Sequence, residues 1–169
     1  MSARILRRRA LIEDDWQVAP ERTADLPPGA RIIVPLARFR AEREALIASA
    51  AAVGVLLANT EDVELVYPEI RDRPLIALLF PTFADGRALS QAAVLRNRLG
   101  YAGELRAVGD VVRDLVFWLA RGGFDSIAPR ADQDLEACRL ALDQFSAAYQ
   151  AAADGRTPVW VQRRTQAAR

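Results

Sequence analysis

The chain has 169 residues, of which 51% are hydrophobic and 27% are charged, and its formal net charge at pH 7 is +1. This composition is typical of a globular protein with one sizeable core, and it excludes a strongly basic nucleic-acid binder and an acidic disordered chain. The sequence has no histidine, no lysine and a single cysteine. It therefore excludes imidazole-based catalysis, a lysine Schiff base, the lysine of a phosphate-binding loop and an intrachain disulfide.

Residues 1–30 are expected to form an N-terminal arm outside the main domain. Residues 4–6 and 16–18 flank a Glu-Asp-Asp turn and can pair as a small hairpin, and a flexible arm fits the same stretch equally well. The loop at 21–30 contains a Pro-Pro-Gly break that separates this arm from the body. Acidic residues stand where a signal peptide needs its apolar segment, and no apolar run approaches the ~20 residues of a membrane span, so we expect a cytoplasmic protein.

Residues 31–150 alternate short apolar runs with helical patterns, which indicates one domain. The runs that predict strands lie at 31–35, 53–57, 75–80, 104–108 and 124–127. Helical spacing of apolar residues predicts helices at 36–50, 87–99, 111–121 and 132–149, and a brief helix after a cap at Asn59 or Thr60. The composition changes after residue 150, so 151–169 is interpreted as a C-terminal tail, weakly ordered or used for docking.

This alternation predicts an α/β fold with a mainly parallel sheet of about five strands. An open doubly wound sheet and a partial βα barrel both fit the pattern. Either arrangement places ligands beside the carboxyl ends of the parallel strands. Asp85 and Arg87 follow the strand at 75–80, and Asp110 follows the strand at 104–108, so we expect these three residues at one rim of the sheet.

Asp85, Gly86 and Arg87 lie between a strand end and a helix start, which favours two interpretations. In the first, Arg87 binds a sulfate- or phosphate-like group with help from the helix N-terminus, and Asp85 or Asp110 acts as a general acid or base. In the second, Asp85 caps the helix and Arg87 pairs with a neighbouring carboxylate. Asp110 can likewise cap the helix that follows it.

Arg106 stands inside a predicted strand, where an unpaired charge is costly to bury. Glu104 shares its sheet face, so Arg106 belongs either to an internal ion-pair network or to a substrate-facing set with Asp85, Arg87 and Asp110. Further candidates for substrate binding are the polar residues Ser90, Gln91 and Arg113.

Metal and dinucleotide chemistry find little support in the sequence. A magnesium site built from Asp85, Asp110 and Glu104 is disfavoured because arginines surround these carboxylates. No G-x-G-x-x-G turn is present for a dinucleotide, and we assign no metal ligand and no cofactor. Cys138 lies on the apolar face of the last predicted helix and is expected to be an inert buried thiol.

The stretch at 80–125, FPTFADGRALSQAAVLRNRLGYAGELRAVGDVVRDLVFWLARGGFD, resembles the bacterial family called domain of unknown function 934. The resemblance extends over roughly residues 31–150. The positions that carry it are Phe80, Phe83, Asp85, Gly86, Arg87, Ser90, Gln91, Leu95, Arg96, Arg98, the run 103–110, Arg113, Asp114, Arg121, Gly123, Phe124 and Asp125. Two positions depart from the family pattern: Leu115 stands in place of glutamine, and Gly122 stands in place of cysteine.

The resemblance implies a role in sulfur assimilation. Members of the family are labelled as oxidoreductases of sulfite reduction, and they are encoded beside assimilatory sulfite reductase and the reductases of activated sulfate. The absence of the family's cysteine at position 122 weakens a mechanism based on the protein's own thiols.

Two functions therefore stand as hypotheses. The first is an accessory or ligand-binding protein that acts beside sulfite reductase as its partner. The second is an enzyme that binds an oxyanion or a phosphorylated small molecule at the strand rim through Arg87 and Arg106. The helix at 111–119 is apolar nearly all round, which also leaves a self-associating homo-oligomer open.

Overall fold

A computed structural model describes residues 4–19, 26–27 and 29–167. Eight strands in this part of the chain form one sheet. The strands are β1 (Arg4–Arg7), β2 (Ala10–Glu13), β3 (Trp16–Val18), β4 (Arg31–Pro35), β5 (Ala52–Leu57), β6 (Leu75–Phe80), β7 (Glu104–Gly109) and β8 (Ser126–Ile127). The helices are α1 (Leu36–Ser49), α2 (Val63–Ile70), α3 (Arg87–Asn97), α4 (Val116–Arg121), α5 (Leu135–Ala141) and α6 (Val159–Ala167).

The sheet is mixed, and its strands lie in the order β2-β1-β8-β7-β6-β5-β4-β3. All neighbours from β3 to β8 are parallel, whereas β1 pairs antiparallel with both β8 and β2. The predicted α/β class is confirmed, and the five predicted strands correspond to β4–β8. The prediction missed how many strands the sheet has, because residues 4–18 add three strands to it.

The sheet is strongly curled. Its two edge strands, β2 and β3, are separated in sequence only by Asp14 and Asp15, so at most about 11 Å of chain joins them. A flat sheet of eight strands would hold its edges roughly 34 Å apart. The sheet must therefore bend round until its edges approach each other. The result is a half-barrel, which agrees with the partial-barrel alternative better than with an open doubly wound sheet.

The main core lies on one face of this sheet, where apolar strand residues pack against the helices. It contains Val55, Leu78 and Leu105 from central strands together with Leu46 and Leu95 from α1 and α3. Alternate residues of the same strands face the other side. There a smaller apolar cluster forms from Trp16, Ile33, Leu75 and Ala77.

The N-terminal hairpin forms with a different partner from the expected one. Residues 4–6 do not pair with 16–18; β1 instead pairs with β2 through a turn at Arg8 and Arg9, and β3 pairs parallel with β4. β2 and β8 occupy the two edges of β1, so neither edge is left for β3. Most of the loop expected at 21–30 lies outside the described residues.

Several helix boundaries also differ from the prediction. Asp62, and neither Asn59 nor Thr60, caps α2 by accepting hydrogen bonds from the backbone N–H groups of Glu64 and Leu65. Asp134 caps α5 in the same way, and this helix ends at Ala141 instead of continuing to residue 149. The region expected to be a tail includes α6.

A tertiary contact explains the early end of α5. The ring of Phe145 lies 4.9 Å from the ring of Phe117, measured between centroids, on the neighbouring helix α4. This aromatic contact draws residue 145 away from the helical path that its spacing indicated, because edge-to-face packing of rings is favourable in itself.

Gly109 ends β7 in a backbone conformation that side chains rarely adopt, with φ +99°. A Cβ atom added there would lie 2.3 Å from the carbonyl oxygen of Phe80, the last residue of β6. The same carbonyl accepts a hydrogen bond of 2.7 Å from the N–H of Asp110. Glycine at 109 thus lets the loops after β6 and β7 approach each other closely.

We predict that Gly109→Ala lowers the free energy of unfolding by about 1–3 kcal/mol, because alanine is strained at this φ and collides with backbone. Urea unfolding measures the change. Gly86→Ala is the matched control, since Gly86 has φ −80° and a Cβ there meets nothing within 4 Å. Equal stabilities of the two variants would contradict this account of the loop.

Candidate functional site

The carboxyl ends of β6 and β7 form a rim at which the sequence-predicted residues can be located. Asp85 follows β6 and accepts hydrogen bonds from the Arg87 side chain at 2.6 Å and from the Arg87 backbone N–H at 3.1 Å. Asn59, which follows β5, donates a further bond of 2.6 Å to the same carboxylate. These contacts lower the pKa of Asp85 to about 2, and the largest cause is the hydrogen bonding from the Arg87 side chain.

Asp110 lies on the same rim but does not cap a helix. One carboxylate oxygen accepts from the backbone N–H of Phe83 at 2.9 Å, and the other accepts from Arg130 at 2.6 Å. The next helical turn begins only at Arg113, after an extended Val112. The prediction of an N-cap at Asp110 is therefore wrong. Its carboxylate is used to join the loop after β6 to the loop after β8.

Ser90 and Gln91 lie at the start of α3 but differ in their surroundings. Ser90 is exposed. Gln91 is buried, with 6% of its surface exposed, and its amide donates to the carbonyl oxygens of Ala58 and Glu61 at 2.9 and 2.8 Å. The Gln91 side chain thus holds the loop after β5 against α3.

Arg113 borders a cleft of about 410 Å³ on this rim. Its guanidinium is exposed and, within the described part of the chain, takes part in no ion pair, while its backbone N–H donates to Gln133 at 3.0 Å. The other lining residues are Phe83, Val112, Asp114, Arg130 and Gln133. We call this space the rim cleft.

Arg106 lies away from the rim, on the concave face of the sheet. It stands three residues before the end of β7, which places it about 10 Å from the strand end. Only 2% of its side chain is exposed, and it donates to Asp14 at 2.8 and 2.9 Å and to Glu104 at 2.9 Å. Ser126 lies 3.1 Å from the Arg106 Nε and donates to Glu104 at 2.6 Å.

The structure therefore divides the predicted site residues into separate groups. Asp85 and Arg87 form one pair, Asp110 joins Arg130, and Glu104 and Arg106 belong to an internal network. The three carboxylates considered for magnesium do not share a site. Across residues 4–19, 26–27 and 29–167, no three acidic or cysteine side chains lie close enough together to hold a metal ion.

A second cationic cavity, also of about 410 Å³, lies at the opposite end of the sheet. Arg7 pairs with Ser126, the first residue of β8, so the turn after β1 lies at the amino ends of the parallel strands. This cavity, which we call the arginine pocket, has a charged lining of Arg8, Arg9, Arg96, Arg121, Arg156, Asp125 and Asp154.

In the sequence, Arg96, Arg121 and Asp125 stand out only as positions of the family pattern, and no motif predicts the pocket that they line. Arg8 and Arg156 come from the two ends of the chain, where no periodic pattern pointed to a site. The helical spacing at 132–149 predicts one continuous helix. The structure instead has turns after Ala141, and these turns border the cavity.

The chain belongs to the family described as a bacterial protein of unknown function (DUF934), whose model matches residues 54–160. This confirms the resemblance drawn from residues 80–125. Comparison with curated proteins and with solved structures gives no match. Among the described helices, none has both the length and the apolar character required to cross a membrane.

The two departures from the family pattern lie near α4. Leu115 is partly buried against the main core, and Gly122 follows the last residue of α4. A Cβ atom added at Gly122 would lie 3.2 Å from the side chain of Leu89. A cysteine at this position would therefore require Leu89 to move by a few tenths of an ångström.

We predict that Arg87→Ala raises the pKa of Asp85 from about 2 toward the ordinary aspartate value of about 3.9, because it removes the largest cause of the shift. The lowered pKa means that the pair stabilises the fold above about pH 4, and that this contribution is lost as the pH falls toward 2. Carbon-13 NMR titration of the Asp85 carboxyl measures the change. Arg98→Ala, which removes an exposed partner of Glu64, is the control. An unchanged Asp85 titration in Arg87→Ala would refute the pairing.

Proposed function

We propose that this protein is an accessory, ligand-binding protein of assimilatory sulfite reduction that acts beside sulfite reductase in the cytoplasm. Family membership supports the sulfur connection through the resemblance described above. The observation that carries the proposal is the state of the rim carboxylates. Asp85 and Asp110 each accept hydrogen bonds from an arginine and from a backbone N–H. The pKa of Asp85 falls to about 2, whereas general acid–base catalysis favours a group whose pKa lies near the working pH.

The ligand proposed for the rim cleft is a small sulfur oxyanion such as sulfite or sulfate. Arg113 offers an unpaired guanidinium there, judged over the described residues, and arginine binds such anions through two parallel hydrogen bonds. Arg130 also lines the cleft, and its guanidinium is paired with Asp110 and Asp132. Gln133 supplies an amide at the edge of the same cleft.

The alternative, an enzyme that binds an oxyanion between Arg87 and Arg106, has less support. The Arg87 guanidinium is bound to Asp85 at the rim, and the Arg106 guanidinium is buried against Asp14 and Glu104. A single small anion does not reach both groups without breaking these pairs.

We predict that sulfite or sulfate raises the melting temperature of the wild-type protein and that Arg113→Ala abolishes the shift. A ligand at 100 times its Kd adds about 2.7 kcal/mol of stability, which is on the order of 5–10 °C for a chain of this size. Thermal unfolding measures the effect. Arg71→Ala, which removes an arginine with a 64% exposed side chain on another part of the surface, is the matched control.

A second arm tests the partner directly. Purified sulfite reductase is expected to bind this protein or to change in activity or assembly when it is added. The proposal is wrong if neither oxyanion stabilises the protein and sulfite reductase neither binds it nor responds to it.

A further inference from the structure

The arginine pocket carries more positive charge than its own carboxylates neutralise. Its lining holds five arginines and two aspartates, an excess of three positive charges. Asp154 illustrates the imbalance, because its carboxylate faces both Arg121 at 3.1 Å and Arg156 at 3.5 Å. Asp143, outside the lining, pairs with Arg9 and lowers the excess to two positive charges. A pocket with such an excess is suited to an anion that brings several negative charges.

The arginines of the pocket differ in how many donors remain available. Arg96 is fully engaged, because it donates to Asp125 and to the carbonyl oxygens of Tyr101, Gly103 and Gly123. These hydrogen bonds join the end of α3 to the loops before β7 and β8. It is therefore a structural member of the pocket.

The Arg8 side chain, unlike that of Arg96, has donors available for a ligand. In the described part of the chain, the Arg8 side chain forms no hydrogen bond and no ion pair. Its backbone is in the left-handed region, with φ +54°, and its N–H donates to the Asp125 carbonyl at 2.6 Å. The turn is thus anchored to the pocket wall while the Arg8 guanidinium stays free for a ligand.

An aromatic cleft of about 290 Å³ adjoins the arginine pocket. The two spaces share Phe117 and Arg121 as lining residues. The remaining aromatic lining consists of Trp118, Phe145 and Tyr149, and the side chains of Trp118 and Tyr149 are largely exposed, at 53% and 73%. Exposed rings that border a cleft offer flat apolar faces on which another ring can stack.

We propose that the arginine pocket and the aromatic cleft form one binding site for a nucleoside phosphate. The phosphates occupy the arginine pocket, where guanidinium groups bind phosphate oxygens bidentately. The base stacks in the aromatic cleft against Trp118 or Tyr149, as bases do on aromatic side chains. Both cavity volumes lie near or within the usual range of ligand sites, roughly 300–1,000 Å³.

The geometry favours this ligand over a bare anion or an apolar molecule. A bare oxyanion would leave the aromatic cleft empty, and an apolar ligand would leave the excess arginines unpaired. A nucleoside phosphate meets both requirements, because it carries its charge at one end and its ring at the other. This site is independent of the rim cleft, which lies at the opposite end of the strands.

Isothermal titration of the full chain with ADP, adenosine and inorganic phosphate tests the proposal. ADP is expected to bind at least about tenfold more tightly than either fragment, since it alone uses both halves of the site. Sulfite at the rim cleft is expected not to displace ADP, and Arg113→Ala is expected to bind ADP normally. The sulfite competition and the Arg113→Ala variant show whether a negative result concerns the nucleotide site or the oxyanion site at the rim cleft.

Two variants test which part of ADP each of the two cavities binds. Arg8→Asn removes the charge but tolerates the positive φ, and it should weaken ADP binding about tenfold or more while leaving adenosine binding unchanged. Trp118→Ala should weaken ADP binding between about fivefold and 100-fold while leaving phosphate binding unchanged. Arg71→Asn and Trp160→Ala, at exposed positions that line neither cavity, are the matched controls.

Three results would overturn the proposal. The first is no binding of ADP by the wild-type protein at millimolar concentration. The second is equal affinity for ADP and phosphate, or for ADP and adenosine, because one half of the site would then contribute nothing. The third is a loss of ADP binding in the control variants as large as in Arg8→Asn and Trp118→Ala.

Discussion

The buried guanidinium of Arg106 is the constraint on which the rest of the structure depends. A charge with 2% of its side chain exposed requires full compensation, and here Asp14 and Glu104 provide it. Asp14 lies in the two-residue connection between the edge strands β2 and β3, whereas Arg106 lies near the middle of the sheet. Their ion pair therefore links the seam of the curled sheet to its centre. We infer that this network stabilises the curl that the short β2–β3 connection imposes, because it joins that connection to the middle of the sheet.

Pairing of arginines with carboxylates also separates the structural arginines from those proposed to bind ligands. Without histidine or lysine, arginine supplies the positive side chains, and most of those discussed above are paired with carboxylates in the described structure. Paired arginines such as Arg87 and Arg96 hold loops together. Arg113 and Arg8, at opposite ends of the sheet, are the exposed arginines on which the two ligand proposals rest.

Much of the α/β body could be predicted, because β4–β8 are buried strands with distinct apolar runs and α1–α3 carry regular helical spacing. The added strands β1–β3 were missed as part of the sheet, since short strands with mixed polar residues resemble an arm. The rim was anticipated through Asp85 and Asp110, because strand ends follow from strand positions. Glu104 was anticipated as a partner of Arg106, because the two residues alternate onto one sheet face. The partner Asp14 could not be predicted, since it is 92 residues away and only the curl of the sheet brings it close.

A double-mutant cycle between Asp14 and Arg106 tests the central claim most directly. The free energy of unfolding in urea would be measured for the wild type, Asp14→Asn, Arg106→Met and the double variant. We expect a coupling energy of about 1–3 kcal/mol, because either single change removes the ion pair between the two side chains, one of which is almost fully buried. Effects that add to within about 0.5 kcal/mol would contradict the account, since the two side chains would then not depend on each other.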